Sequence, residues 1–203
     1  MASTPSKPTQ TLEHSALSAP LRVMRIRWDG LRVGHNGMKT LNSPRFGLTR
    51  NGGLRPHQGV DLESPIGTPI YAVAEGIIED VRKADPNYGV DLLLKFRPQQ
   101  NWVQYLASTG NADEDGILYA HYAHLSLVLV SKGQRVRRGM ILGKTGCSGN
   151  ADQRYPHLHF EIRKVRWPGA GPGGLLKRID PELLFRVDFI KPIETLERLL
   201  TTA

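Results

Sequence analysis

The sequence has a single cysteine, Cys147, which excludes an internal disulfide and a cluster of thiolate ligands. Any metal ion that the chain binds is therefore held by nitrogen and oxygen atoms. No stretch is apolar over the length of a membrane span, and residues 1–20, rich in Ser, Thr and Pro, lack the apolar centre of a secretion signal. We therefore expect no membrane span, no readable signal peptide, and a flexible polar tail over residues 1–20.

The sequence also lacks the aromatic-interleaved basic motifs of RNA- and DNA-binding modules. It is nevertheless basic, with a formal net charge of +8. Such a charge suits a polyanionic partner, which includes nucleic acid, a membrane surface or a bacterial wall polymer, and charge alone does not choose among them. Solubility is the plainer explanation for many of these Lys and Arg residues. From the missing motifs we expect no nucleic-acid partner.

Long helical patterns are scarce, whereas 21 Gly and 14 Pro indicate many turns. Short apolar runs bounded by turn residues predict β-strands at residues 70–74, 77–81, 90–96 and 116–129. Many short strands in succession, without alternating long helices, favour an antiparallel arrangement. The predicted fold class is therefore mainly β, an antiparallel sheet or sandwich.

Three further segments complete the predicted domain. Residues 24–33 alternate apolar and basic side chains around an Asp29-Gly30 turn, which is a hairpin signal. The polar segment 98–115 predicts an elaborated hairpin tip. Apolar residues on helical spacing after Pro192 predict a short C-terminal helix. We predict a single domain over residues 21–203 that includes this N-terminal hairpin and this C-terminal helix.

His57 and Asp61 form the first pair of residues with metal-binding chemistry. Pro56 and Gly59 favour an extended backbone here, and an offset of four places both side chains on one side. An imidazole and a carboxylate are suitable zinc ligands, and a third protein ligand leaves one tetrahedral position for water. His159 is the natural third ligand.

Four histidines, His159 among them, occur in two pairs. His157 and His159 are two residues apart in a predicted strand, so they share one face. One of them can bind a metal while the other handles protons. His121 and His124 are an odd number of residues apart, so on a regular strand only one of them reaches a shared site. Periodicity does not say which one.

Three motifs, in this order, resemble those of the lysostaphin-type zinc endopeptidases, which cut peptidoglycan cross-links. They are His-x-x-x-Asp at 57–61, Tyr-Ala-His-Leu-Ser at 122–126 and His-Leu-His-Phe-Glu at 157–161. The similarity extends from about residue 45 to residue 180. The resemblance implies the lysostaphin-type β fold, with its duplicated hybrid motif, and one Zn²⁺ per chain bound by His57, Asp61 and His159.

The resemblance also implies that His124 and His157 are the catalytic pair. His157 would act mainly as general base and acid, and His124 would stabilise the oxyanion of the tetrahedral intermediate. This choice favours His124 over His121, which is then interpreted as a rim or core residue.

The function implied by the resemblance is hydrolysis of peptidoglycan stem peptides or cross-bridges, in the periplasm or on the cell wall. An alternative is a non-catalytic zinc-bearing module that binds wall polymer or activates an amidase. Residues 50–53 and 178–181 are also similar to endopeptidase effectors that bacteria inject through contractile (type VI) secretion machines. That similarity implies action on a target cell's wall, with an immunity protein or a secretion-machine component as partner.

A substrate groove is expected around this site. Its predicted walls are the segments 35–53, 98–115, 146–155 and 169–174. Trp102, Tyr105 and Tyr155 are candidate substrate contacts, and packing at the loop bases is an equally good explanation for these rings.

Overall fold

The computed structural model describes residues 14–26, 31–33, 39–41, 44–51, 53–99, 116–185 and 188–189. The strands are β1 (His14–Ser15), β2 (Arg25–Ile26), β3 (Leu31–Val33), β4 (Lys39–Leu41), β5 (Gly47–Arg50), β6 (Arg55–His57), β7 (Val60–Glu63), β8 (Pro69–Tyr71), β9 (Gly76–Asp85), β10 (Gly89–Pro98), β11 (Leu118–Val128), β12 (Arg135–Val136), β13 (Ile141–Thr145), β14 (His157–Arg163), β15 (Arg178–Ile179) and β16 (Asp188–Phe189). Helix α1 spans Pro172–Leu175, and a 3-10 helix spans Pro181–Leu183. In these ranges no helix is both long and apolar enough to cross a bilayer.

Most strands belong to one sheet of twelve strands, whose main path runs β12-β9-β10-β11-β14-β7-β2-β16. Neighbours on this path pair antiparallel, except β2 with β16. Strand β1 adds a parallel pair to β10. This architecture confirms the predicted mainly β, antiparallel fold class.

Strand β11 is the branch point of the sheet. Its first part pairs with β10 and β14, and its last part, from Leu125, pairs with β13, which in turn pairs with β8. A cluster of buried apolar side chains packs beneath these strands, and it includes Tyr122 of β11 and Phe160 of β14 with ring centroids 5.2 Å apart. The site therefore rests on a packed core.

The predicted hairpin over residues 24–33 is wrong where the structure describes it. Strand β2 pairs with β7 and β16, whereas β3 pairs with β4. The reason is burial. Ile26 is 1% exposed and lies opposite Leu62, so pairing of β2 with the main sheet buries apolar surface and stabilises the fold more than a local hairpin would. The proposed Asp29-Gly30 turn and the C-terminal helix lie outside the described residues.

The predicted flexible tail is wrong over residues 14–20. Strand β1 pairs with Arg97 and Pro98, which extend beyond the ends of the strands that flank β10. Leu17 packs against the core, and the Ser18 amide donates to the Val73 carbonyl. These contacts supply the buried apolar surface and backbone hydrogen bonds that offset the entropy of ordering this segment.

The three strands β7, β14 and β11 lie side by side and set the register of the site. Asp61 pairs with His159, and Ala123 of β11 pairs with the same histidine from the other side. Along β14, Leu158 and Phe160 belong to the core, so His157 and His159 project from the opposite face. This confirms that the two histidines share a face.

Candidate active site

Three predicted metal ligands meet on the face of β7 and β14 opposite the core. Oδ1 of Asp61 is 2.9 Å from Nδ1 of His159 and 3.1 Å from Nε2 of His57. The two imidazole nitrogens are 3.2 Å apart. Two nitrogens and one carboxylate oxygen converging on one point form a donor set that is typical of a transition-metal site.

His57 reaches this point because the chain turns tightly between β6 and β7. Gly59 lies in that turn, against β14, and a Cβ added to it would be only 2.3 Å from the carbonyl oxygen of Phe160. A side chain at this position would push the turn away from the sheet. Glycine is therefore required for His57 to approach His159.

Each of the three candidate ligands is held by a second partner. Nδ1 of His57 is 2.9 Å from the Arg45 carbonyl oxygen, so Nε2 is free to face the site. Nε2 of His159 is 3.1 Å from Oε1 of Glu161, which leaves its Nδ1 facing the site. Arg50 binds the other oxygen of Asp61, Oδ2. Such partners fix ring orientation and tautomer at metal sites.

His157 and His124 lie beside the triad. Their ring centroids are 5.0 Å apart, and Nε2 of His157 is 3.6 Å from Oδ1 of Asp61. Nδ1 of His157 lies 2.8 Å from the Tyr155 carbonyl oxygen, and Nδ1 of His124 lies 2.8 Å from that of Ser148. Both rings thus donate from Nδ1 to the backbone and leave Nε2 for another partner.

His124 faces the site because of a bulge in β11. The pairing with β10 shifts so that Ala123 and His124 together oppose Asp91, and the backbone of His124 is left-handed, with φ of 61°. His121, a regular strand residue paired with Glu161, lies on the same face. The alternation expected of a regular strand is therefore wrong here, because a bulge breaks it. Of the two histidines, His124 is nevertheless the one that lies beside the triad, with its ring centroid 5.9 Å from that of His159.

A buried group of charges lies behind His159. Glu161 is completely buried, and its Oε2 accepts hydrogen bonds from Nε of Arg163 at 2.8 Å and from Nε of Arg178 at 2.6 Å. Arg178 also donates to the side-chain oxygen of Gln58. Sequence reasoning gave these residues no role. The period of two along β14 places Glu161 and Arg163 on the face of His159, whereas no local signal points to Arg178.

The site shifts the pKa values of its side chains in opposite directions. Burial, together with the nearby His159 and His157, lowers the pKa of His124 to about 4. Burial also lowers the pKa of His159, but hydrogen bonds to Asp61 and Glu161 outweigh this effect and raise it to about 9. Burial raises the pKa of Asp61, yet the neighbouring imidazoles hold it well below its usual range.

The site opens into a groove of about 730 Å³. The loop that ends at Tyr155 and the loop at 169–171 line it, as predicted, and Tyr155 is 37% exposed. Trp167 also lines the groove, which the sequence reasoning missed. Trp102 and Tyr105 lie outside the described residues, so their predicted substrate contacts stay predictions.

The chain is similar to several known wall peptidases. It is 32% identical to the peptidoglycan DD-endopeptidase ShyB of Vibrio cholerae over 111 residues, which cover 55% of this chain and 21% of that protein. It is 32% identical to the glycyl-glycine endopeptidase ALE-1 of Staphylococcus capitis over 118 residues, 57% of this chain and 26% of that protein. It is 34% identical to lysostaphin of Staphylococcus simulans over 116 residues, 57% of this chain and 19% of that protein.

The chain thus spans only about a fifth to a quarter of the length of these curated relatives. Among solved structures, the catalytic domain of the antimicrobial peptidase lysostaphin from Staphylococcus simulans matches with a TM-score of 0.48 and 27% identity. That match covers 68% of this chain and 84% of the lysostaphin domain.

The family described as "Peptidase family M23" matches residues 55–171, which is more than half of the chain. The matched range contains all five residues that the sequence motifs singled out, His57, Asp61, His124, His157 and His159. The chain therefore belongs to peptidase family M23.

Proposed function

We propose that this chain is a zinc-dependent endopeptidase that hydrolyses the peptide cross-links of bacterial peptidoglycan. The observation that carries the proposal is the convergence of His57, Asp61 and His159, with His157 beside them, in an open groove. Membership of a peptidase family and similarity to wall endopeptidases support it. The assignment of the three ligands and of the catalytic pair is part of the proposal.

The donor triangle fits zinc. Zinc bonds to nitrogen and carboxylate oxygen are about 2.0–2.2 Å long, so two ligand atoms of a regular tetrahedron are about 3.4 Å apart. The three separations between the ligand atoms of His57, Asp61 and His159 are 2.9 to 3.2 Å. When bound, zinc would activate a water molecule for attack on a peptide carbonyl. Each protein ligand is already oriented by Arg45, Arg50 or Glu161.

His157 is the general base and acid of this proposal. Because its Nδ1 donates to the Tyr155 carbonyl, the neutral ring has an unprotonated Nε2 that faces the triad. Nε2 can take a proton from the attacking water and return it to the leaving amine, which contributes roughly 100- to 10,000-fold. The ring is partly exposed in the groove, so substrate and water can reach it.

His124 stabilises the oxyanion. Burial keeps its imidazole neutral before substrate binds, since its pKa is about 4. As negative charge develops on the carbonyl oxygen, the pKa of a neighbouring imidazole rises, so His124 takes up a proton from solvent in the open groove on Nε2 and donates a hydrogen bond from it to that oxygen. The Ser148 carbonyl fixes the ring in place for this contact.

The test uses purified chain with stoichiometric zinc and two substrates, because relatives are named for both DD- and glycyl-glycine cleavage. Sacculi with D-amino-acid cross-links and an oligoglycine peptide are digested in parallel, and mass spectrometry detects new peptide ends. We expect His157→Ala to retain zinc without cleavage, and His159→Ala to lose both. The surface variant Lys132→Ala should cleave like the wild type.

Zinc binding without new peptide ends would contradict hydrolysis and favour the alternative, a non-catalytic module that binds wall polymer or activates an amidase. Cleavage that survives in both histidine variants would contradict the assigned roles. Cleavage of one substrate but not the other would identify the cross-link.

We also propose that the chain acts as an antibacterial effector delivered by a contractile (type VI) secretion machine. The support is the similarity of residues 50–53 to such effectors. Arg178 and Asp180 of the second similar segment have structural roles here, since Arg178 pairs with Glu161 and Asp180 caps the 3-10 helix. Competition between a producing strain and a susceptible strain, with and without the secretion machine, tests delivery. Equal killing by both producers would contradict it.

A further inference from the structure

His121 lies behind the proposed metal ligands, between charged residues of two neighbouring strands. It is fully buried in β11. Its Nδ1 is 2.7 Å from Nη2 of Arg163, on β14, and its Nε2 is 3.5 Å from Oδ1 of Asp91, on β10. Arg82 donates to the same carboxylate and neutralises its charge. Nδ1 therefore has a hydrogen-bond partner, whereas Nε2 faces the Asp91 carboxylate without a hydrogen bond to it.

This arrangement determines which nitrogen of His121 carries the proton. A guanidinium has donors and no acceptor, so at 2.7 Å Nδ1 must accept a hydrogen bond from Arg163. The proton of the neutral ring is then on Nε2, facing Asp91. Nδ1 is also 3.4 Å from Oε1 of Glu161, but two acceptors cannot bond each other, so Arg163 is the partner of Nδ1.

Arg163 links His121 to the metal-ligand triad. The guanidinium is 2% exposed and donates through Nε to Oε2 of Glu161 at 2.8 Å. The other oxygen, Oε1, accepts from Nε2 of His159 at 3.1 Å. A continuous series of buried hydrogen bonds thus runs from His121 through Arg163 and Glu161 to a proposed zinc ligand.

We propose that His121 is a positioning residue of the metal site. By accepting a hydrogen bond from Arg163 it holds the guanidinium, and through it the Glu161 carboxylate, in the orientation that presents Nδ1 of His159. If the acceptor is removed, Arg163 has a buried unsatisfied donor and must move toward another acceptor, which displaces Glu161. This inference rests on the proposed metal centre.

Three substitutions at position 121 distinguish the effect of losing the hydrogen-bond acceptor from the effect of changing the volume of the side chain. An Asn side chain places its oxygen near the position of Nδ1, so His121→Asn retains an acceptor for Arg163. His121→Gln places its amide near Nε2 and retains only the contact with Asp91. His121→Phe keeps a ring of similar size without polar atoms.

Zinc affinity is measured by competition with a chromophoric chelator, on the 203-residue chain after near-ultraviolet circular dichroism has shown that it is folded without metal. We expect His121→Asn to stay within about twofold of the wild-type Kd, and His121→Gln and His121→Phe to bind zinc about 10- to 100-fold more weakly. The visible spectrum of bound Co²⁺ should shift in the same two variants. At saturating zinc, the fold decrease in kcat should be smaller than the fold increase in the Kd for zinc.

The Gln variant alone carries the test if the Phe variant does not fold. Wild-type zinc affinity in the folded Gln variant would overturn the inference, and so would equal losses in the Asn and Gln variants, because the acceptor would then be irrelevant. A wild-type chain that binds no zinc would overturn the proposed function as well. Tight binding by the wild type with unchanged Gln and Phe variants would overturn this inference only.

Discussion

Asp61 and His159 are opposite each other in the β7–β14 pair, with Oδ1 of the aspartate 2.9 Å from Nδ1 of the histidine. Without a metal, a proton on Nδ1 of His159 forms a hydrogen bond to Asp61, and Nε2 of the same ring donates a second hydrogen bond to Glu161. Burial disfavours the positive charge of a doubly protonated ring, but the carboxylates of Asp61 and Glu161 raise the pKa of His159 to about 9. We therefore expect His159 in the metal-free site to be an imidazolium, at the position where zinc is proposed to bind.

Zinc binding at pH 7 should release about one proton from His159, because its Nδ1 must lose that proton to bind a metal. Isothermal titration calorimetry in two buffers with different ionisation enthalpies measures the number of protons released. No proton release at pH 7 would show that the metal does not replace the proton on His159.

The same proton should stabilise the metal-free fold in a defined pH range. The pKa of about 9 lies above the ordinary value of about 6.5, so the contribution of His159 is fully present below pH 6.5. It should be lost as the pH rises through about 9. NMR titration of the imidazole, with urea unfolding of chelator-treated chain between pH 6 and pH 9.5, measures both effects. A titration midpoint for His159 below 6.5 would contradict this sign.

Glu161→Gln should destabilise the chain strongly. The substitution removes the carboxylate shared by Arg163 and Arg178, which are 2% and 4% exposed, and leaves two buried cations without their counterion. Removing one partner of such a buried pair costs about 3–5 kcal/mol. Urea unfolding of metal-free chain measures this cost, and the exposed strand variant Glu63→Gln should change stability by less than about 0.5 kcal/mol. Equal stabilities for the two variants would contradict a structural role for the buried network.

Gly59→Ala should weaken zinc binding and lower stability, because the new Cβ would be 2.3 Å from the Phe160 carbonyl oxygen. The turn must move, and His57 moves with it. Gly173→Ala is the matched control, since a Cβ there meets nothing within 4 Å. Thermal unfolding and zinc affinity should separate the two variants. Similar behaviour of both would show that the turn accommodates a side chain.

His124 occupies a left-handed backbone conformation, with φ of 61°. Asn is tolerated in this region, whereas a β-branched residue is strained by about 1–3 kcal/mol. We therefore expect His124→Val to be less stable than His124→Asn by about this amount, while neither variant cleaves substrate. His157 lies in regular strand β14, so the same pair of substitutions there should show no penalty for Val. Urea unfolding measures all four variants, and equal penalties at both positions would rule out the bulge as the cause.

The site residues were predicted largely from the period of two along a β-strand. An alternation of two placed His157 and His159 on one face. The sequence also predicted that His57 and Asp61 come together, but a tight turn between β6 and β7 brings them together rather than the expected offset along one extended strand. The period of two also extends along β14 to Glu161 and Arg163, so their proximity to the site was available from the sequence. Their role was not, because it depends on Arg178 and on the burial of all three charges.

Two predictions from local sequence pattern were wrong because contacts with distant strands stabilise a different structure. The hairpin expected over residues 24–33 gave way to pairing of β2 with β7, because Ile26 is buried against the main sheet. The tail expected over residues 1–20 is ordered from His14, where strand β1 pairs with Arg97 and Pro98 of β10. Neither partner is adjacent in sequence, so no local window could have shown these contacts.

The sequence by itself determined which side chains have the chemistry of the site and which of them alternate onto a common face, because strand geometry has a fixed period. Only the tertiary structure decided that His124 joins that face, since a bulge with a left-handed residue interrupts the period. It also decided how buried charges behind His159 are paired, because hydrogen-bond partners are selected by three-dimensional packing among residues far apart in the chain.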